Sequence, residues 1–401
     1  MRDNQTSPSS FARSRFSVLA ALAWLIGRTV SAQGASSVAS GRLVPDSTLP
    51  APSSLPNGAP ITGLLVANKD GRLFIADNGS RSLFIVKHGS VATTHPFRYA
   101  IRMGFHQRGV WLADPPIGRV VLVDSEGRAS RTFDAFRNIP AAGAVSEGPW
   151  ALLADGTFIL APAFTPAFLT ASKTARGYYL RVDSTGQILD TLESVDLRST
   201  VIGVAPDTVV VPEFMNNALI AVDPTGRFVV TVNIAKGIAR GSRVYTVRRR
   251  DLRREATDRW VFARTAVKML PADREQVARP YVQLLQKRYR KPDVSVDSVE
   301  AQVDAASFRD PVSNLLVSPD GAIWLKHEDV ADPPTWSIID STGLVCAIAP
   351  QPPNTRLVEV DGQFAWGLQW DPSTKSTTLR VYKLKPAEGT RAAPALCRGG
   401  A

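Results

Sequence analysis

From about residue 42 to residue 386 the chain repeats short runs in which apolar and polar positions alternate, broken by turn residues. A period of two is the pattern of half-buried strands. Two turn signatures separate the runs. The first is an Asp-Gly pair, at Asp70-Gly71, Asp155-Gly156, Asp320-Gly321 and Asp361-Gly362, where glycine supplies the positive φ of a tight hairpin. The second is an Asp-x-x-Gly run, at Asp124–Gly127, Asp183–Gly186, Asp223–Gly226 and Asp340–Gly343. There the aspartate bonds the backbone two residues on and the glycine closes the turn. Between the turns the pattern predicts six hairpins, at Leu73–Val86, Val110–Val123, Thr157–Val182, Thr208–Val222, Ile323–Ile339 and Phe364–Tyr382.

Six hairpins at this spacing predict an all-β fold, a six-bladed β-propeller of four-stranded antiparallel blades, with about 46 residues per blade. The last blade lacks an outer strand, because the chain after Lys385 becomes rich in Ala, Pro and Gly. A strand from around Arg42 to Leu49 is expected to fill that place and close the ring, removing exposed strand edges. The spacing breaks between Asp223 and Asp340, and residues 236–306 are expected to be a partly helical insertion outside the blades. Its helix is predicted to begin at Pro271, with Asp273 and Glu275 in the first turn and Lys287, Arg288 and Arg290 near the end, matching the helix dipole. Val277, Tyr281, Leu284 and Leu285 would share its apolar face, with a bend at Pro280. The chain thus divides into an N-terminal segment 1–32, a linker 33–41, the propeller 42–386 and a tail 387–401.

The run Leu73-Phe74-Ile75-Ala76-Asp77-Asn78 followed by Ser82-Leu83-Phe84-Ile85-Val86 resembles an NHL-type blade. Ser318–Leu325 and Leu379–Leu384 resemble blades of exported bacterial six-bladed propellers of NHL-like or TolB-like type, whose role is uncharacterised. The resemblance spans nearly all of 42–386 and concerns the fold, with which function does not travel.

Arg13 and Arg15 precede an apolar run, Phe16–Ile26, and then Val30-Ser31-Ala32. That is the order of a secretory signal, and its run of 11 residues falls short of the roughly 20 that span a bilayer. Cleavage near Ala32 is expected, leaving a periplasmic or secreted protein. The formal net charge is +11, but residues 236–292 hold 17 Lys or Arg against 5 Asp or Glu, so the basic character is local. Two cysteines, Cys346 and Cys397, would form a disulfide in an oxidising compartment.

Propeller ligand sites lie at the channel mouth, and aligning the ends of the second strands brings out Asp77 with Asn78, Asp114, Glu213 and His327, with Trp370 in the sixth blade. One reading is a ring of carboxylates and one imidazole that orients a polar ligand or holds calcium through Asp77, Asp114 and Glu213. The plainer alternative is that each aspartate caps its own loop. Trp370 would stack on a sugar or peptide. The basic run Arg248, Arg249, Arg250, Arg253 and Arg254 would attract anionic lipid, acidic glycan or an acidic protein, or its arginines pair with acidic blade edges. Nucleic acid is not expected after export.

The four histidines lack zinc-site spacing, and phosphate loop, Gly-x-Ser-x-Gly elbow and Cys-x-x-Cys are absent from the sequence. The leading expectation is a non-catalytic propeller that binds a protein, glycan or small molecule and needs no cofactor. The alternative is a metal-dependent lactonase-like hydrolase or lyase, with calcium in the channel and His327 as acid or base.

Overall fold

The computed structural model describes residues 39–46, 64–67, 72–77, 80–87, 90–97, 102–106, 109–114, 119–133, 145–162, 176–196, 201–204, 207–210, 219–235, 241–288, 295–300, 308–327, 333–362, 364–374 and 376–387. The expected signal segment, Asn78, Glu213 and Cys397 lie outside them. Strand β1 (Ala39–Pro45) is followed by a four-stranded antiparallel sheet of β2 (Leu64–Ala67), β3 (Arg72–Asp77), β4 (Ser82–Lys87) and β5 (Ser90–Pro96). The next comprises β6 (Arg102–His106), β7 (Gly109–Asp114), β8 (Arg119–Val123) and β9 (Ala129–Phe133). The third comprises β10 (Val145–Leu152), β11 (Phe158–Pro162), β12 (Arg176–Val182) and β13 (Ile188–Asp196). A separate hairpin, β14 (Val201–Val204) with β15 (Asp207–Val210), precedes a fourth sheet of β16 (Leu219–Val222), β17 (Phe228–Ile234), β18 (Ser242–Asp251) and β19 (Ala256–Thr265).

Helices α1 (Pro271–Arg288) and α2 (Val296–Glu300) come next, packed on each other. Then β20 (Asn314–Val317), β21 (Ile323–His327), β22 (Thr335–Ile339), β23 (Val345–Pro350), β24 (Thr355–Asp361), β25 (Phe364–Asp371) and β26 (Ser376–Pro386) join β1 in one eight-stranded sheet, ordered β20-β21-β22-β23-β1-β26-β25-β24.

First strands of successive sheets adjoin: β2 packs on β6 and β24, β6 on β10, and β20 on β16 and β24. This makes the fold all-β and propeller-like. Apolar faces fill the spaces between sheets. Trp150, Leu152 and Phe158 meet Ile220, Val229 and Leu252, and Leu73, Ile75 and Phe84 meet Trp366, Leu368 and Val381. Each such buried side chain contributes about 1.5–3 kcal/mol of transfer free energy. Trp111, Trp324 and Trp366 are all buried, as bulk between sheets requires.

Three expectations need correction. Four separate four-stranded sheets stand where six were expected, because β1 fuses the last strands into one sheet: it pairs antiparallel with β26 from Gly41↔Pro386 to Pro45↔Tyr382 and parallel with β23 at Ala39↔Ala347 and Ser40↔Ile348. The hairpin expected at Thr208–Val222 is two half-hairpins. Thr208 pairs with Gly203 of β14, and Val222 pairs with Val229 of β17. Both apolar runs alternate alike, so their period could not name the partner. Finally, residues 236–306 are not one insertion. β18 pairs with β17 from Phe228↔Asp251 to Ile234↔Tyr245, and β19 pairs with β18 along ten positions, so the basic run sits inside a sheet.

The helical part begins at Pro271 as expected, and Asp273 bonds the backbone N–H of Leu270 and pairs with Arg309. Its buried stripe is Ala278, Val282 and Leu285, and the helix continues through Pro280. Leu285 is the one residue of the expected face in that stripe; the side chains of Val277, Tyr281 and Leu284 lie outside the described set.

Candidate functional site

First strands β6, β10, β16, β20 and β24 converge on a cavity of about 280 Å³. Its polar lining is Arg102, Trp111, Trp150, Asn314, Arg356 and Glu359, with Met103, Ala151, Val222, Leu315 and Leu357 as apolar wall. All of these come from first strands except Trp111, which reaches the cavity from β7.

The Arg102 guanidinium lies 4.2 Å from the ring centroid of Trp150, and burial lowers its pKa below the ordinary arginine value, with Tyr179 opposing. Across the cavity Glu359 accepts the N–H of Val360 at 3.1 Å. Burial holds its carboxyl well above the usual range, and the charges of Asp223 and Asp361 push the same way. Trp111 is buried, and its Nε1 donor has no hydrogen-bond partner among the described residues. Gly104, opposite on β6, makes room for that indole: a Cβ there would lie 2.7 Å from Trp111 Nε1. The cavity therefore combines hydrogen-bond donors with one carboxyl that keeps its proton to unusually high pH.

Asp77, His327 and Trp370 do not line this cavity, and Asn78, Glu213 and the Asp114 side chain lie outside the described residues. Asp77 is fully buried and accepts the N–H of Ser80 at 2.9 Å, closing its own loop. His327 is also buried: Nε2 meets Ser337 Oγ at 2.9 Å and Nδ1 meets the Pro311 carbonyl, so both ring nitrogens are engaged within the sheet. Asp114 ends β7, paired with Arg119. Trp370 is exposed at the far end of β25, opposite Thr377, where an aromatic face is open to solvent. Among the described residues no group of three or more His, Cys, Asp or Glu side chains is placed to hold a metal ion. Of the set expected for calcium, only the Asp77 side chain lies among the described residues.

Trp150-Ala151, Asn314–Val317 and Arg356–Glu359 lie on strands that precede Asp-Gly turns, and those turns are the sequence signal that marks them; Arg102, Met103 and Trp111 carry no such mark.

The basic run behaves as a strand. Arg248 pairs with Glu193 at 2.9 Å and Arg250 with Asp190, both on β13 of the neighbouring sheet. Arg249 is buried on the opposite face, donating to the Gly321 and Ser341 carbonyls at 3.0 and 2.8 Å and to Asp258 at 2.7 Å. Arg253 and Arg254 follow in the turn, where Arg254 lies 3.8 Å from Asp251. Cys346, on β23, is disulfide-bonded.

No family model matches the chain, and no curated protein matches it. Several solved structures share its general course. One is a member of the DUF4221 family from Bacteroides vulgatus, 8% identical with a TM-score of 0.43, covering 88% of this chain and 98% of that one. A streptogramin B lyase structure is 11% identical with a TM-score of 0.36, over 86% and 97%. A catalytically inactive virginiamycin B lyase from Staphylococcus aureus, solved with quinupristin, is 10% identical with a TM-score of 0.35, over 86% and 98%. At such identity and score the likeness carries no assignment of activity.

Proposed function

We propose that this protein is an exported binding propeller that holds a small polar solute in its central cavity. The observation that carries this reading is the cavity of about 280 Å³ lined by the donors of Arg102, Trp150, Asn314 and Arg356. These donors face the Glu359 carboxyl, which can donate or accept according to its protonation. An acceptor-rich solute, an organic acid or a sugar acid, suits this set. The six-blade reading belongs here too: the eight-stranded sheet is two blades stitched by β1, which shares five antiparallel positions with β26 and two parallel positions with β23. Export accords with the order of charged, apolar and small residues before Ala32 and with a disulfide at Cys346.

The test is thermal-shift screening of the purified protein against neutral sugars, sugar acids and organic acids, followed by calorimetry. A channel ligand should lose about tenfold or more in affinity in Arg356→Ala and about tenfold in Asn314→Ala, as expected when a hydrogen bond to a charged or buried group is removed. A ligand whose affinity is unchanged in both variants binds elsewhere, and the channel reading fails.

A further inference from the structure

A second depression, of about 160 Å³, opens on the face of the ring that carries the tight turns, between β17–β19 and β20–β23. It is lined by Arg227, Phe228, Arg249, Asp251, Arg254, Asp320 and Ser341. Three arginines therefore meet two aspartates in one small space, and the hydrogen bonds decide what it wants.

Both aspartates are already engaged. Asp251 accepts two bonds from Arg227, at 3.1 and 2.7 Å, and the N–H of Arg253 at 2.9 Å. Asp320 accepts Ser318 Oγ and the N–H of Ala322. The arginines keep donors to spare. Arg249 is more than nine-tenths buried, wedged between the rings of Phe228 and Trp260 at 5.4 and 5.2 Å; its Nε is fully covered, and Nη1 spends one of its two N–H groups on the Gly321 carbonyl. Arg227 uses two of its five N–H groups on Asp251 and rests on Phe228 at 4.5 Å from the ring. Arg254 is 71% exposed at its side chain and touches Asp251 only at 3.8 Å.

Asp320 takes both of its bonds on Oδ1, yet the unused donors of Arg227 and the exposed Arg254 outnumber that one remaining acceptor oxygen, and planar cations with unused donors favour an acceptor-only ligand. We propose that this depression is a binding site for a tetrahedral oxyanion, a phosphate or sulfate group, gripped by Arg227, Arg249 and Arg254. Two aromatic rings and a sheet fix the first two guanidinium groups in place, so little side-chain entropy is lost on binding there. Arg254 is the mobile third contact. Arg248 and Arg250 do not take part, because Glu193 and Asp190 hold them against the neighbouring sheet. The same chemistry could come from a free ion or from a lipid phosphate, and the experiment separates the two.

Isothermal titration of the full chain with inorganic phosphate and with sulfate, at constant ionic strength, should show one saturable site. Arg254→Ala should weaken it about tenfold, the size of one lost charge-assisted contact, and Arg227→Gln should weaken it further. Arg248→Ala should leave it unchanged. If Arg227→Gln fails to fold, the exposed Arg254→Ala still decides. Binding that persists undiminished in Arg254→Ala, or no heat with folded protein at millimolar phosphate, overturns the site. A parallel arm uses vesicles of phosphatidic acid: adhesion to vesicles without binding of soluble phosphate would mean diffuse surface charge and would also overturn it.

Discussion

The turns at Asp183 and Asp223 share the sequence Asp-x-Thr-Gly and almost the same internal bonds. Asp183 accepts the N–H of Thr185 at 2.8 Å and of Gln187 at 3.0 Å, and Asp223 accepts those of Thr225 at 2.9 Å and Phe228 at 2.6 Å. Gly186 and Gly226 close the turns at φ of 89° and 72°. Their surroundings differ. The Asp183 turn joins β12 to β13, the outer strands of its sheet, and stays in water. The Asp223 turn joins β16 to β17 beside the channel, where Asp223 is 1% exposed and the Gly226 carbonyl accepts the N–H of Ala154 from the neighbouring sheet. A local motif fixes the shape of a turn, and the ring decides what that shape costs.

Glycines give the largest expected contrast. Gly343 has φ of 88°, and a Cβ on it would fall 1.8 Å from Trp260 Nε1, so Gly343→Ala combines left-handed strain with displacement of a packed ring. A loss of about 3 kcal/mol is expected from the two effects together. Gly156, at φ of 83°, has open space where its Cβ would be, and Gly156→Ala should cost about 1–2 kcal/mol from strain alone. Urea denaturation of both variants measures the difference. Equal losses would mean that Trp260 moves aside freely and that the turn at Gly343 does not bind the two sheets together.

Next in size is the aspartate itself. Asp223→Ala strands the N–H groups of Thr225 and Phe228 in a buried turn, at a cost of about 2 kcal/mol. Asp183→Ala exposes the equivalent groups to water, which replaces the lost bonds, and its midpoint should move far less. A matching loss at both positions would show that the capping geometry, and not burial, sets the energy.

This contrast also marks how far the sequence was legible. The turns, the hairpins at β3–β4, β7–β8, β21–β22 and β25–β26, and a strand from the N-terminal side completing the last sheet all follow from period two and turn chemistry. The place of the basic run did not. Ser242–Asp251 alternates strictly, burying Arg243, Tyr245, Val247, Arg249 and Asp251, yet a string of arginines reads as a solvated face because the partners that allow burial lie far away in sequence. Arg249 is held by Gly321 and Ser341, more than seventy residues on. The channel residues were hidden for a related reason: which strand of a blade is innermost depends on packing between blades, and no local pattern encodes it.

The smallest effect is the most specific, because the two aspartates should titrate with opposite signs. Burial pushes Asp223 up to about 6, outweighing its hydrogen bonds to Thr225 and Phe228. Its native state therefore holds a proton that the unfolded chain, near the ordinary value of about 3.9, has released. Stability from this group is full below that value and declines as pH rises towards 6. Asp183 runs the other way: bonds from Thr185, first its hydroxyl, hold its carboxyl below the ordinary range. Its contribution is full above the unfolded pKa and is lost as pH falls through the folded one. Asp223→Asn should accordingly flatten the decline in stability between about pH 4 and 6, and Asp183→Asn should flatten only the acid limb below it. Denaturation midpoints across pH 3–7 for both variants resolve the two limbs. If Asp223→Asn leaves the slope between pH 4 and 6 intact, the proton is held elsewhere in the same cluster, by Glu359 or Asp361, and the triple comparison with Glu359→Gln and Asp361→Asn assigns it.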